Sequence, residues 1–261
     1  MTDRTDAPGT VGTAVTEPER ADPFDRLRAC TPARVFLGRC GAALPTRALL
    51  DFQLAHARAR DAVHDEFEPD RVASLLPSQD VRVVHSCALD RQMYLQRPDL
   101  GRRLEDASAA SLLAGSYEAV FVIADGLSAR AVHEHAAATL AATLPKLAGW
   151  QLGPCIVSCR ARVALGDEIG ERLGAQLVVV LIGERPGLSA PDSLGAYLTW
   201  RPRVGRLDSE RNCISNIRPP AGLSYEQAAV RLAWLMSTAQ RLRLSGIALK
   251  EESGPQPLGN M

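Results

Sequence analysis

The sequence predicts an α/β protein built on a mostly parallel sheet, and three observations support this class. Short apolar runs rich in β-branched residues recur along the chain, as expected of strands buried on both faces. Helical stretches with capping residues separate these runs, an order typical of parallel strands joined by right-handed crossovers. A length of 261 residues with 46% apolar content suits one large domain, or one domain with an appendage.

The first third of the chain predicts two regions that precede the sheet. Residues 1–21 are rich in Thr, Pro, Asp and Glu and predict a disordered tail. Residues 22–75 predict an N-terminal helical extension, with a long helix capped by Thr46 and ending near Phe67. Its heavily charged exterior suits either a surface for a partner or an ordinary solvated helix. Residues 76–261 are then predicted to form the sheet domain.

The sheet domain opens with strands and helices in alternation. Four buried strands are predicted, at residues 81–86, 118–126, 153–161 and 176–183. Helices are predicted between them, at residues 90–104 with a break at Pro98, at 129–144 and at 163–173. Ser128 is the expected N-cap of the second of these helices. Gly174 is the residue expected to close the third.

The pattern changes after Asp192. Residues 196–200 predict a short strand, and residues 201–220 predict a long irregular segment of the kind that often carries function. Ser224 is the expected N-cap of a final amphipathic helix that reaches about residue 243. Residues 246–251 predict an edge strand.

Charge and cysteine content exclude several classes of partner and site. Basic and acidic residues are equal at 30 each, so the chain lacks the basic surplus that nucleic acids or anionic membranes attract. We expect neither partner, and we expect a cytoplasmic protein because no signal peptide or membrane span is evident. The six cysteines form no C-x-x-C motif, and Cys155 with Cys159 makes a weak metal pair. Reduced, mostly buried thiols are therefore expected, with no metal site.

Familiar catalytic and nucleotide-binding motifs are missing from the sequence. It contains no G-x-G-x-x-G after a strand, no G-x-x-x-x-G-K-[ST] and no G-x-S-x-G, so a dinucleotide, nucleoside triphosphate or α/β-hydrolase site is unsupported. His133 and His135 flank Glu134, but a spacing of two residues places their rings on different faces of a helix. No catalytic residue is predicted in this chain.

Two strand ends carry acidic residues that could meet a ligand. Ligands of open parallel sheets bind beyond the carboxyl ends of the strands. Glu184 lies there, directly after the fourth strand, and Pro186 keeps the backbone at Arg185 extended, so no helix begins at that point. The alternative is a solvated glutamate in a surface turn. Asp125 and Gly126 end the second strand, where turn chemistry is the alternative.

Several long motifs resemble the small subunit of ethanolamine ammonia-lyase. The most specific are LVVVLIGERPGLSAPDSLGAYLTW at residues 177–200 and RNCISNIRP at residues 211–219. Three further segments resemble the same family in the same order: PTRALLDFQLAHARARDAV at 45–63, VIADGLSA at 122–129 and RVALGDEIG at 162–170. The resemblance covers roughly residues 22–250 and leaves the N-terminal tail outside.

The resemblance implies a Rossmann-like fold and a carbon–nitrogen lyase that converts ethanolamine to acetaldehyde and ammonia. In that family the substrate site lies in a TIM-barrel large subunit, and the corrin of adenosylcobalamin is clamped between the two chains of a hetero-oligomer. The corrin contacts implied for this chain are Val163, Glu184 and Cys213. We expect Glu184 to accept hydrogen bonds from corrin amides, and Cys213 to lie in the irregular segment, where a small side chain permits close approach.

Two alternatives to an enzyme subunit remain open. One is a Rossmann-like binding module for another nucleotide-like ligand, without a catalytic partner. The other is a non-catalytic structural subunit that uses the charged N-terminal helix as its contact. The sequence is also compatible with either a free cytoplasmic location or enclosure in a bacterial microcompartment.

Overall fold

A computed structural model describes residues 24–31, 33–78 and 80–250, and these fall into two compact units that divide between Leu49 and Leu50. The predicted disordered tail at residues 1–21 lies outside the described residues. In the first unit, helix α1 (Asp25–Ala29) follows Phe24, whose ring stacks on Phe36 with centroids 4.4 Å apart. Helix α2 (Thr46–His64) starts at the predicted Thr46 and carries the chain into the second unit.

The second unit contains one six-stranded sheet in the order β1-β3-β2-β4-β5-β6. The strands are β1 (Val81–His85), β2 (Tyr117–Ala124), β3 (Cys155–Cys159), β4 (Ala175–Gly183), β5 (Leu194–Trp200) and β6 (Arg211–Ile217). The first four pair in parallel, whereas β5 is antiparallel to both of its neighbours. Every strand except β5 therefore runs in one direction, and the predicted mostly parallel α/β sheet is confirmed.

Six helices of the second unit complete the fold. They are α3 (Pro69–Leu75), α4 (Arg91–Gln96), α5 (Asp106–Ser111), α6 (Ala129–Thr143), α7 (Leu165–Leu173) and α8 (Tyr225–Leu242). The predicted caps are confirmed: the Ser128 and Ser224 hydroxyls each accept a backbone N–H of the first helical turn at 3.2 Å. Gly174 ends α7 with φ 71°, a left-handed conformation that favours glycine.

The two faces of the sheet are covered by different helices. Alternation along β4 directs Val179 and Leu181 into the core under α6 and α8, and Val178 and Val180 into the core under α7. We call these the α8 face and the α7 face. Because both are packed over β4, this strand is apolar from Leu177 to Ile182, which is why that run shows no polar alternation.

Two expectations about local structure were wrong. The segment 201–220 is not irregular throughout, because it contains β6, whose polar residues occupy the exposed side of an edge strand. Residues 246–248 form a turn of 3₁₀ helix instead of an edge strand. The helix expected at 90–104 is interrupted at Pro98 as predicted, with the short α4 before the break and a 3₁₀ turn at Leu100–Arg102 after it.

None of the helices in the described ranges is both long enough and apolar enough to cross a bilayer.

Candidate functional site

The carboxyl ends of β1 to β4 meet along one edge of the sheet, which we call the carboxyl edge. The strands end there at His85, Ala124, Cys159 and Gly183. Both acidic candidates predicted from the sequence, Asp125 and Glu184, follow these ends directly. Their surroundings differ: Asp125 is buried inside the protein, whereas Glu184 is half-buried and therefore partly accessible.

Asp125 is an internal carboxylate that joins neighbouring loops. Its Oδ1 accepts the backbone N–H groups of Ala161 and Gly126 at 2.9 and 3.0 Å, and its Oδ2 lies 3.3 Å from Nη1 of Arg91. Only 2% of the residue is exposed. Burial raises the pKa of Asp125 to about 6, although the two amides and Arg91 favour the charged form. Turn chemistry therefore accounts for this residue.

We expect Asp125→Asn to flatten the pH dependence of stability. The raised pKa means that, between about pH 4 and pH 6, the folded chain keeps a proton that the unfolded chain releases. The stabilisation from Asp125 is therefore present at low pH and is lost as the pH rises through the folded pKa. A shift of about two pKa units corresponds to about 3 kcal/mol. Asparagine cannot titrate. As the pH rises across this range, the free energy of unfolding of the variant, measured in urea, should therefore increase by about that amount relative to the wild type.

The wild type and the variant share all other titratable groups. The difference between their free energies of unfolding therefore reports on Asp125 alone. Two curves that stay parallel from about pH 4 to pH 7 would show that Asp125 is ionised throughout in the folded chain.

Glu184 has a half-buried carboxylate held by three donors of its own chain. Its backbone N–H donates to the carbonyl of Ser193 at 2.9 Å. Its Oε2 accepts the Ser193 hydroxyl and, at 3.2 Å, the backbone N–H of Asn216, whereas Oε1 accepts the Ser215 hydroxyl at 2.7 Å. The side chain is therefore fixed against β6 and is not a freely solvated glutamate in a turn.

A bulge in β6 creates the place where this carboxylate lies. Leu194 pairs with Ile217 and Ala196 with Ile214, so two residues of β6 oppose the single residue Gly195. A Cβ atom built on Gly195 would lie 2.9 Å from Oε1 of Glu184 and 3.0 Å from its Cγ. Glycine at this position leaves room for the Glu184 side chain, which a larger residue would have to displace.

Cys213 lies in β6 and not in an irregular loop as expected, because the edge strand continues through this motif. It pairs with Tyr197 of β5, which in turn pairs with Val180 of β4, so all three side chains point to the α7 face. The Cys213 side chain is exposed to solvent. Nearby protein atoms nevertheless displace enough water to raise the pKa of the thiol, and the Glu184 carboxylate adds to that rise. The thiol is therefore protonated and neutral at pH 7.

Val163 occupies the loop between β3 and α7. Its half-buried side chain packs against the core of the α7 face, the same core that Tyr197 borders. The loop is anchored on both sides, because Arg162 donates its backbone N–H to Gly101 at 2.8 Å and Val163 accepts the N–H of Gly166 at 3.0 Å. Val163 is thus held in a defined position at the carboxyl edge.

The predicted site residues lie on one side of the sheet. Val163, Tyr197 and Cys213 border or point to the α7 face, and the Glu184 carboxylate lies above Gly195, whose Cβ direction is also on that face. Cys213 and Ser215 are exposed there. We call this surface the open sheet face, defined by Val163, Glu184, Tyr197, Cys213 and Ser215. Glu184 and Val163 also share the carboxyl edge.

A buried ion pair behind the open sheet face was not anticipated from the sequence. Nη1 of Arg211, at the start of β6, lies 2.6 Å from Oδ1 of Asp167 in α7, and both side chains are 2% exposed. The same Nη1 donates to Thr199 at 3.1 Å. Burial raises the pKa of Asp167, and Arg211 opposes that rise. The one sign of this pair in the sequence was Asp167, an acidic residue at a buried position of the amphipathic helix α7.

All six cysteines are free, but they are less buried than the sequence suggested. Cys155 and Cys159 are buried, Cys87 is half-buried, and the other three are exposed. Burial raises the pKa of both Cys155 and Cys159 to about 12, so these thiols are inert at neutral pH. Because three of the six cysteines are exposed, the expectation of mostly buried thiols was wrong.

The fold defines an α/β protein with a mostly parallel six-stranded sheet flanked by helices. A family model described as ethanolamine ammonia-lyase light chain (EutC) matches residues 21–250. This chain belongs to the ethanolamine ammonia-lyase light chain family, which confirms the resemblance found in its motifs.

Individual relatives match over nearly their whole length. The ethanolamine ammonia-lyase small subunit of Xanthomonas campestris pv. campestris (strain B100) is 54% identical over 254 residues, which covers 94% of this chain and 93% of that protein. The small subunit from Ralstonia nicotianae is 51% identical over 263 residues, covering 96% and 94%. The one from Azotobacter vinelandii is 52% identical over 246 residues, covering 90% and 91%.

Proposed function

We propose that this chain is the small subunit of an adenosylcobalamin-dependent ethanolamine ammonia-lyase and that its open sheet face holds one side of the corrin. The large subunit, a TIM barrel in the family, would cover the other side and bind ethanolamine. The complex would release acetaldehyde and ammonia. A cytoplasmic or microcompartment location stays a prediction from the sequence.

The observation that carries the proposal is the placement of Val163, Glu184 and Cys213 on one side of the sheet. A corrin is a broad, nearly flat ring, so residues that contact it must border a common surface. Val163 and Tyr197 offer partly apolar surface to such a ring, and Cys213 is small, neutral and exposed on the edge strand β6. These properties fit contact with the ring without any covalent role for the thiol.

The count of hydrogen bonds at Glu184 supports a role in binding a further donor. A carboxylate offers about four acceptor sites, two on each oxygen. Oε2 accepts two hydrogen bonds, from Ser193 and Asn216, whereas Oε1 accepts only that of Ser215. The remaining site on Oε1 suits an amide N–H of the corrin rim, and a charged acceptor makes the stronger hydrogen bond.

The contribution of this chain is binding and orientation. Adenosylcobalamin, when bound, supplies the radical chemistry of the reaction. The chain's own residues would fix the ring by a hydrogen bond to Glu184 and by contacts with Val163 and Cys213. Enclosure between two subunits would also keep water from the reacting groups.

The direct test is reconstitution of the two-subunit enzyme. This chain should be inactive alone and should release acetaldehyde from ethanolamine when mixed with a large subunit of the family and adenosylcobalamin. Absence of turnover from a mixture in which the two chains form a complex would contradict the proposed function. Titration of the chain with cobalamins, NAD and FMN would reveal the alternative of a binding module for another nucleotide-like ligand.

We expect Glu184→Gln to weaken adenosylcobalamin retention by about tenfold to a hundredfold. Glutamine keeps the size of the side chain and one acceptor oxygen, so the bulge should persist. The loss of a charged acceptor costs roughly 1.5–3 kcal/mol. The dissociation constant of the cofactor should be measured in the two-subunit complex, together with the free energy of unfolding of the chain.

Glu118 provides a matched control at the amino edge of the sheet. Its carboxylate accepts the backbone N–H of Gln151 and the amide of Gln240, both at 2.7 Å. Glu118→Gln therefore removes a similarly bonded charge far from the open sheet face and should leave cofactor retention unchanged. If Glu184→Gln also leaves retention unchanged, the carboxylate does not bind the cofactor, as a purely structural subunit would require.

A further inference from the structure

Three side chains converge between α6 and the segment that precedes β5. Helix α6 presents Glu134 and His135, and Asp192 lies in the segment between β4 and β5. Nε2 of His135 is 3.8 Å from Oε2 of Glu134 and 3.8 Å from Oδ2 of Asp192. One ligand atom from each residue lies within 4.8 Å of the other two.

His135 directs a buried, unpaired nitrogen into this cluster. The residue is 5% exposed, and its Nε2 has no hydrogen-bond partner among the described residues. Its Nδ1 lies 3.0 Å from the hydroxyl of Tyr225, which fixes the orientation of the ring. Burial lowers the pKa of His135, so the ring is neutral at pH 7 and one of its nitrogens carries a free lone pair.

Each carboxylate uses one oxygen for an arginine and directs the other toward His135. Oε1 of Glu134 accepts Nε of Arg130 at 2.8 Å. Oδ1 of Asp192 accepts Nε of Arg218 at 2.9 Å. The two arginines hold the carboxylates in position and leave one oxygen of each facing the imidazole. The two guanidinium groups also balance much of the negative charge of the carboxylates. The imidazole must therefore supply a large part of the affinity for a cation.

We propose that Glu134, His135 and Asp192 form a binding site for a divalent first-row transition metal ion, with zinc the best match. Two ligand atoms bound to one tetrahedral ion at about 2.0–2.2 Å lie roughly 3.3–3.6 Å apart. The two 3.8 Å separations from His135 need only a small contraction, and the two carboxylates, within 4.8 Å of each other, would close on the ion. A site with a neutral imidazole favours zinc over Mg²⁺ or Ca²⁺, which take oxygen ligands. Tyr225 on Nδ1 is the outer partner that ligating histidines usually have.

His133 does not belong to the site, although the sequence places it beside Glu134. Its Nε2 accepts the backbone N–H of Glu68 at 3.1 Å, and its ring stacks on Phe67. The third ligand comes instead from Asp192, which is far away in the sequence. The metal would thus connect α6 to the segment that carries Ser193, the donor to Glu184. The site does not depend on the cofactor assignment.

The experiment is a Co²⁺ titration of the full chain without cobalamin. Cobalt replaces zinc at such sites, and its absorption distinguishes imidazole and carboxylate ligands from thiolates, which matters because the chain has exposed cysteines. We expect one ion per chain with no thiolate charge-transfer band. Glu134→Gln, which changes an exposed residue and should not affect folding, and His135→Gln should each weaken binding about tenfold or more. His133→Gln is the matched control and should bind as the wild type does.

Each result of these binding experiments either supports the metal site or overturns it. Loss of binding in the Glu134 and His135 variants alone supports the site, as does a rise in the wild-type melting temperature with Zn²⁺ that Glu134→Gln removes. The proposal is overturned if no cobalt stays bound after dialysis or if a thiolate band dominates. It is also overturned if Glu134→Gln binds as tightly as His133→Gln.

Discussion

Arg211→Met is expected to lower the free energy of unfolding by about 3–5 kcal/mol. The substitution removes the guanidinium but leaves Asp167 buried at 1% exposure without its partner. A buried carboxylate that loses its counter-ion has lost its main compensation for desolvation. Arg211 also donates to the carbonyl of Arg206 at 2.9 Å, so the segment that leads into β6 should loosen as well.

Urea unfolding of the variant at pH 7 gives the measurement, and two further variants sharpen it. Arg203→Met changes an exposed arginine of the same region and should cost less than about 1 kcal/mol. The double variant Arg211→Met with Asp167→Leu should recover much of the loss, because a buried ion pair is often replaceable by apolar residues. A single variant as stable as the wild type would show that the pair contributes nothing to joining β6 and α7.

Cys213→Trp should abolish adenosylcobalamin retention by the two-subunit complex while the chain still folds. The side chain is exposed on β6, so an indole can extend into solvent without entering the core. On the open sheet face, however, it would occupy the space proposed for the corrin. We expect the dissociation constant of the cofactor to rise by about a hundredfold or more, equivalent to roughly 3 kcal/mol.

The size of the side chain at residue 213 is the variable to test. Cys213→Ser keeps a small side chain and removes the thiol, so it should retain the cofactor if only close approach matters. Loss of retention in the serine variant would assign a role to the sulfur itself. Retention in the tryptophan variant, with complex formation intact, would place the corrin elsewhere.

The parts of the fold that could be predicted are those governed by local sequence. The apolar, β-branched run of β4 indicated a buried strand, and Ser128, Gly174 and Ser224 marked the ends of their helices because caps act within a few residues. Placement of Glu184 at a strand end followed from the same run. The hydrogen bonds that hold its carboxylate could not be predicted, because the donors Ser215 and Asn216 lie on another strand.

The parts that were missed depend on contacts between distant segments. β6 was not predicted because an edge strand with polar residues on its exposed side lacks the apolar pattern of β4. The pairs of Arg211 with Asp167 and of His135 with Asp192 join residues far apart in the chain. Local spacing around His133 and His135 argued against chelation by those two rings, but it could not reveal a third residue from another loop.

The bulge that accommodates Glu184 also affects how the isolated chain behaves toward its own copies. β6 is an edge of the sheet, and a straight edge offers a row of unpaired backbone groups on which another polypeptide can add as a strand. Here Asn216, with φ 62°, interrupts that row near one end, and the Asn212 side chain bonds to the carbonyls of Gly246 and Leu249 near the other. We therefore expect β6 to offer little continuous edge on which another copy of the chain could add as a strand.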